Sequence, residues 1–409
     1  MNILLLGNGF DLYHKLPTRY DNFLHTVDFL IKNYTPNMKT VADVFGNEKL
    51  QAEDKFIAEC FTQHKKAYLM TSLDEEKIKE IIELSKDNIW FSYLLKTFDK
   101  QIGWIDFERE IAFVIDSFKE FFSVPSLEFN IINKFSNSGM RYVIALFDFF
   151  LLKTKQTIPG AVTHRVKNEY IIEYPFGSGN TILNQEKIIT ELAISLDKLS
   201  KTLKLYLQCF IENALENIKK DSLEKCAAIS NIDKTITFNY TESYEKFYCN
   251  NTTFHLHGNI NNKIILGINS DSSDNLGTID TAFSRFKKYF QRAQYETDQD
   301  YLIWLQEKFK KTEHYWLIVM GHSLDITDKD TIVELFRKMN EITILYHSDS
   351  AKISYIANLI KIFGKDEFQK FREEKHLQFI SLNSDFTNFT KAQANNAEGE
   401  KLKRVSMLI

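Results

Sequence analysis

A short apolar run at the start of the chain leads into residues that could bind a phosphate. The run ends at Leu6 and is followed by Gly7, Asn8 and Gly9. A strand that ends in Gly-x-Gly is typical of nucleotide-binding turns, because glycine lets the backbone approach a phosphate closely. We therefore expect backbone N–H groups of this turn to bind a diphosphate at a helix N-terminus. The pattern is incomplete, since Leu12 stands where its third glycine would be.

Polar residues also follow three later runs that have the character of strands. Asn239 lies near the end of TITFNY, His257 lies in HLHGN, and Asp325 and Asp328 follow YWLIVMG. In open parallel sheets the ligand binds beyond the carboxyl ends of the strands, so we expect these residues and the glycine turn to form one site. Structural alternatives stay open: Asn239 as a turn former, His257 as a buried core residue, and the two aspartates as helix-terminal charges.

The sequence offers little support for a metal site. His255 and His257 are two residues apart and would face the same side of a strand, which is half of a metal site, but no third ligand is evident. The four cysteines include no C-x-x-C pair, so we expect no structural zinc. No metal is therefore expected.

The composition predicts a packed globular protein rich in long helices. The 409 residues include 34 Phe and 18 Tyr but only 14 Gly and 5 Pro. A net charge of −4 gives no overall attraction to nucleic acid or to an anionic membrane. No apolar run approaches the roughly 18 residues of a membrane span, and the first residues show neither the charge cluster nor the cleavage site typical of a signal peptide. We expect a cytoplasmic protein that binds neither membrane nor nucleic acid.

Apolar residues spaced three and four apart predict helices in the first half of the chain. The predicted helices cover about residues 18–32, 75–98, 105–122 and 185–220. Residues 155–184 contain two prolines and the turn-like FGSGN, so we expect an irregular loop there.

The pattern changes to short strands after about residue 230. The predicted strands are 235–240, 252–258, 263–268, 315–321, 341–347 and 376–382, with helices at about 279–311 and 350–373. The fold class expected is α/β: a Rossmann-like parallel sheet domain formed by residues 1–30 and 230–409, which carries a mostly helical insertion at 31–229.

Several segments resemble the AbiH family of bacterial abortive-infection, anti-phage proteins. They are GNGFDLYHKLPTRY, WIDFE, TFNYTESYEKFY, HLHGN, ILG and GHSLDITD. A more distant resemblance is to sirtuin-like domains, whose motifs correspond to residues 7–11, 15–17, 237–241 and 257–258. The chain departs from that pattern at Asp11, Lys15, Arg19 and Thr241. It also lacks the four-cysteine zinc module, so protein deacetylation is not expected.

These resemblances imply a sirtuin-like pocket in a defence protein that binds and hydrolyses NAD. Cleavage of the nicotinamide–ribose bond passes through a transition state like an oxocarbenium ion, which a nearby amide or carboxylate oxygen stabilises. Asn239 and His257 are the catalytic candidates, the first to orient ribose and water and the second as base. The residues assigned to nucleotide binding are Gly7, Asn8, Gly9, Phe10, Asp11, Pro17, Arg19, Gly321, Ser323, Asp325 and Asp328.

Two other classes of function compete with NAD hydrolysis. One is a metal-dependent nuclease or other phosphate-cleaving toxin, which would use Asp11, His14, His322 and Asp325. The other is a nucleotide-sensing module without catalysis, whose helical insertion binds a partner or forms a homo-oligomer. The sequence does not identify the phage-derived trigger.

Overall fold

A computed structural model of the chain describes residues 1–98, 106–123, 147–155, 162–173, 181–219, 225–248, 252–268, 281–308, 314–374, 377–387 and 389. The chain divides into two compact units. The first consists of Met1–Ile78, Lys204–Ile265 and Arg292–Ile409, and the second of Lys79–Leu203 and Leu266–Gln291. The first unit thus also includes residues 31–78 and 204–229, which the sequence pattern assigned to the insertion.

The described residues form ten strands. They are β1 (Asn2–Leu6), β2 (Leu151–Lys155), β3 (Val162–Val166), β4 (Ile171–Glu173), β5 (Thr181–Leu183), β6 (Lys234–Thr237), β7 (Thr253–His255), β8 (Trp316–Met320), β9 (Glu341–Tyr346) and β10 (Gln378–Ser381).

The same part of the chain contains fifteen α-helices. They are α1 (Gly9–Tyr13), α2 (Tyr20–Asn33), α3 (Val41–Phe45), α4 (Glu48–Glu53), α5 (Lys55–Met70), α6 (Glu75–Lys86), α7 (Ile89–Phe98), α8 (Phe107–Ser123), α9 (Gln185–Tyr206), α10 (Asn213–Leu215), α11 (Ser243–Phe247), α12 (Lys288–Tyr295), α13 (Gln299–Lys308), α14 (Lys329–Lys338) and α15 (Asp349–Glu374). A π-helix, Leu207–Glu212, joins α9 to α10.

Six strands form a parallel sheet in the first unit, in the order β10-β9-β8-β1-β6-β7. If these six are renumbered along the chain, the order from the β7 edge is 3-2-1-4-5-6, which is the order of the dinucleotide-binding Rossmann sheet. The expected pairing of residues 3–6 with strands of the C-terminal half is confirmed, because β1 pairs with both β6 and β8. The fold is α/β and Rossmann-like.

Helices cover both faces of this sheet, as the continuous apolar sequence of its central strands requires. Ile3 and Leu5 of β1 pack in a core with α14 and α15, while Leu4 and Leu6 pack in a second core with the segment 226–232. All five residues of β1 are buried. The central strand therefore holds the turn that follows it in a fixed position.

Two local predictions were wrong. Residues 155–184, expected to be irregular, contain strands of two antiparallel pairs, β2 with β3 and β4 with β5. Residues 263–268 form no strand; the N–H of Ile265 donates to the carbonyl of His257, and the main chain of Leu266 hydrogen-bonds with the amide of Gln291. These hydrogen bonds take the place of those that a neighbouring strand would make. Trp104 of the WIDFE segment lies outside the described residues.

Within the described ranges, no helix combines the length and the apolar sequence that crossing a membrane requires.

Candidate functional site

The parallel strands bring the predicted site residues to one edge of the sheet. Residues 7–11 follow β1, residues 238–243 follow β6, residues 256–258 follow β7, and residues 321–328 follow β8. We call these four segments the carboxyl edge. All of them belong to the first unit.

The glycine turn after β1 packs directly against the turn after β8. The N–H groups of Gly7 and Gly9 donate to the carbonyls of Met320 and Gly321, at 3.2 and 2.8 Å. A Cβ on Gly7 would lie 2.6 Å from Cα of His322, and one on Gly9 would lie 2.7 Å from Cα of Gly321. The glycines therefore permit contact between two backbones, and these two N–H groups already have main-chain acceptors.

Gly321 should tolerate alanine less well than Gly364, although both have positive φ, +71° and +77°. A residue with a side chain pays about 1–3 kcal/mol for such a backbone at either position. A Cβ on Gly321 would also lie 2.2 Å from the nitrogen of Phe10, whereas nothing lies within 4 Å of one on Gly364. We expect Gly321→Ala to lower the unfolding free energy by about 1–3 kcal/mol more than Gly364→Ala in urea titrations. Equal losses would contradict this packing.

Four other predicted ligands of the nucleotide contact the protein itself. The side chain of Asn8 hydrogen-bonds with Thr18, Phe10 packs in the core against Tyr244 and Tyr248, the carbonyl of Pro17 accepts a bond from Tyr206, and Arg19 pairs with Asp21. On the β8 side, Asp325 accepts the N–H of Thr327 and so caps a short 3-10 turn, and Ser323 is exposed. Nucleotide contacts by these residues stay predictions.

Asp11 is a buried carboxyl that holds the loop after β6. Its two oxygens accept hydrogen bonds from the hydroxyls of Thr241, at 2.8 Å, and Ser243. Burial raises the pKa of Asp11 to about 6, although the two hydroxyl donors oppose the shift. Asp11 is thus ionised at neutral pH but close to its titration range.

Glu212 and His255 also contact the segment after β6, and Glu245 contacts His255; the sequence did not single out these three residues as one group. Glu212 lies in the π-helix and accepts the N–H of Glu242, and burial raises its pKa to about 8. His255 faces two acceptors, the carbonyl of Asn239 at 3.0 Å and the carboxylate of Glu245 at 2.9 Å. Burial, the largest single influence, lowers the pKa of His255, but the hydrogen bond and charge of Glu245 together with the carbonyl of Asn239 make the net shift upward. Both ring nitrogens of His255 thus face acceptors, an arrangement that favours the protonated ring.

The pKa shift of Glu212 predicts a loss of stability as pH rises. Unfolded, this carboxyl titrates near its ordinary value of 4.5; folded, it titrates near 8. Between these values the folded chain binds more protons, so its unfolding free energy falls as pH rises from about 4.5 to 8 and levels off above. Each pKa unit corresponds to about 1.4 kcal/mol at most.

Replacing Glu212 by glutamine should reduce this pH dependence in urea titrations at pH 5.5 and 8.5, because the amide does not titrate and can still accept from Glu242. Glu216→Gln is the matched control, since Glu216 is exposed and pairs with Lys246. An unchanged pH dependence in the Glu212 variant would refute the upward shift.

Asn239 is buried at the carboxyl end of β6, beside the central strand. Its N–H donates to the hydroxyl of Thr237, and its carbonyl accepts from His255. In contrast to these main-chain groups, the side-chain oxygen Oδ1 is buried and has no hydrogen-bond partner in the described part of the chain. Buried polar atoms are nearly always satisfied, so this amide oxygen calls for a ligand.

His257 is buried among polar groups of three segments. Its Nε2 lies 3.0 Å from a guanidinium nitrogen of Arg292 and 3.4 Å from Asp328, and Asp328 lies equally far from His322. A guanidinium only donates, so Nε2 of His257 is the acceptor in its contact with Arg292. The ring of Phe238 packs against both histidines.

The residues weighed for a metal site lie in different surroundings. His255 and His257, expected to face the same way, have different partners, Glu245 and Arg292. His14 hydrogen-bonds with Tyr248. No group of three or more histidine, cysteine or acidic side chains in the described ranges is arranged to hold a metal ion.

A family model described as Bacteriophage abortive infection AbiH matches residues 3–348. The match spans every segment of the carboxyl edge, and it confirms the first of the two resemblances. No curated protein and no solved structure matches the chain. The resemblance to sirtuins stays a prediction.

Proposed function

Because the chain belongs to the AbiH family of bacteriophage abortive infection proteins, we propose that it is an effector of phage defence that hydrolyses NAD. The reaction would cleave the bond between nicotinamide and ribose, and it would deplete the cofactor in an infected cell. The family supports the defence role, and the carboxyl edge supports a nucleotide as substrate.

One observation carries this proposal: the buried amide oxygen of Asn239 has no partner in the described chain. Leaving a buried acceptor unpaired costs about 1–3 kcal/mol, which a ligand that donates a hydrogen bond would recover. A ribose hydroxyl is such a donor. Asn239 also follows a strand next to β1 in a sheet with the strand order of dinucleotide-binding proteins.

The chemistry requires charge placement and one base. As the bond between C1′ and the nicotinamide nitrogen breaks, its electron pair goes to nicotinamide and positive charge develops on the ribose. Oδ1 of Asn239 would accept a hydrogen bond from a ribose hydroxyl and so orient the ribose, close to where this charge develops. A water then attacks C1′, and the imidazole of His257 takes its proton. The products are nicotinamide and ADP-ribose.

The carboxyl of Asp11 has a supporting role in this scheme. It binds the hydroxyls of Thr241 and Ser243, and Glu212 binds the N–H of Glu242 between them. Two buried carboxyls thus fix three consecutive residues that begin two positions after Asn239. This arrangement holds the loop that carries the amide.

The experiment incubates the purified chain with NAD, with DNA and with RNA, each with and without magnesium. We expect nicotinamide release that does not depend on magnesium. Magnesium-dependent cutting of nucleic acid would favour the nuclease alternative, and NAD binding without turnover would favour a nucleotide sensor.

A further inference from the structure

The guanidinium of Arg292 is a partly buried cation that no acidic side chain of the described residues neutralises. Two other arginines of the first unit pair with carboxylates, Arg19 with Asp21 and Arg337 with Glu367. Within the described ranges, the Arg292 side chain makes one hydrogen bond, to Nε2 of His257.

One atom of the Arg292 guanidinium lacks an acceptor. Its Nε is buried and has no hydrogen-bond partner in the described chain. A buried charged donor without an acceptor is costly, and proteins normally pair it. A guanidinium pairs best with a carboxylate or a phosphate, because its planar N–H groups match their oxygens. The missing partner is therefore an anion with several oxygens.

A phosphate of a nucleotide would otherwise be expected at the glycine turn. The N–H groups of Gly7 and Gly9, however, donate to main-chain carbonyls of the turn after β8. Because Gly7 and Gly9 carry no Cβ, their backbone lies in direct contact with the backbone of the turn after β8. Arg292 contacts His257 of the same carboxyl edge, so it offers a phosphate a site close to the proposed reaction.

We propose that Arg292, through its Nε–H, binds a phosphate group of the nucleotide substrate. The identity of the ligand as a nucleotide rests on the proposed function, whereas the need for an oxyanion rests on Arg292 itself. Arg292 then has two roles at once: it anchors the phosphate and holds the ring of His257 in place.

The test measures binding of ADP, adenosine and inorganic pyrophosphate to the full chain by calorimetry. We expect ADP to bind more tightly than adenosine, and Arg292→Gln to weaken ADP about tenfold or more while adenosine is unaffected. Arg292→Lys should fall between, because it keeps the charge but loses the planar donors. Arg337→Gln, which removes an exposed arginine, should bind all three probes as the unmodified chain does.

Equal binding of ADP by Arg292→Gln and the unmodified chain would overturn the proposal, as would a chain that binds none of the phosphate probes. Binding of pyrophosphate alone, lost in Arg292→Gln, would assign the site to a free anion and not to a nucleotide. A thermal melt checks folding, and Arg292→Lys serves if the glutamine variant unfolds. ADP binding that depends on Arg292 without nicotinamide release would refute NAD hydrolysis but keep the phosphate site.

Discussion

Replacing Asn239 by alanine should lower nicotinamide release by about a hundredfold or more without lowering the stability of the chain. Loss of one well-placed group that stabilises developing charge typically costs 10² or more in rate. The stability should hold because the buried side-chain oxygen Oδ1 is unsatisfied in the described structure. Alanine removes the cost of that unpaired acceptor. The measurements are initial rates with NAD and thermal melts.

Asn22→Ala is the matched control for this variant. Asn22 is also a buried asparagine of the first unit, but its amide donates to Asp54 and its oxygen accepts from Arg19. We expect this variant to lose stability and to keep its activity while folded. If Asn239→Ala instead loses stability as Asn22→Ala does and retains its rate, Asn239 is a structural residue.

Replacing His257 by glutamine should also reduce nicotinamide release at least about a hundredfold, because an amide cannot take the proton of the attacking water. The oxygen of glutamine can still accept from Arg292, so the variant preserves that contact. In cells, the same variant should lose protection against phage. The measurements are the rate with NAD and the plaque count on cells that express the variant.

His64→Gln provides the comparison for His257→Gln. His64 is a buried histidine of the same unit, and its ring hydrogen-bonds the carbonyl of His14, a residue outside the four segments of the carboxyl edge. A folded His257→Gln variant with the rate of His64→Gln would show that His257 is not the base. If both variants fail to fold, His257→Asn replaces His257→Gln, and the rate with NAD and the plaque count are measured for it.

The sheet could be predicted from the sequence because its strands are short apolar runs between turns. The central strand, residues 2–6, and the strands after residue 230 were all recognisable, and their polar ends indicated Asn239 and His257 as one site. Parallel pairing then fixes which ends share an edge. The order of the six strands was not predictable, since the pattern of one strand does not specify its neighbours.

Other site residues carry no signal in the sequence. Glu212 is one of many acidic residues on a helical pattern, and a π-helix brings it to the loop after β6. Arg292 comes from a helix whose pattern is ordinary, and only the fold places it beside His257. Tertiary packing determined both positions, so local periodicity could not reveal them.

The glycine turn shows how one pattern can have two physical causes. Gly-x-Gly after a strand suggested a close approach of backbone to phosphate. In the structure, Gly7 and Gly9 permit a close approach to Gly321 and its neighbour, and contact with a phosphate stays a prediction. Both causes exclude a Cβ, so the sequence alone could not distinguish them. The stretch at 263–268 shows the same limit, because its apolar residues are buried without joining the sheet.

The measurement that tests the central claim most directly is chromatographic identification of the products formed from NAD by the purified chain. We expect nicotinamide and ADP-ribose in equal amounts, and the loss of both products in Asn239→Ala. Cleavage at the diphosphate, which would release AMP and nicotinamide mononucleotide, or recovery of unchanged NAD from the folded chain, would contradict this expectation.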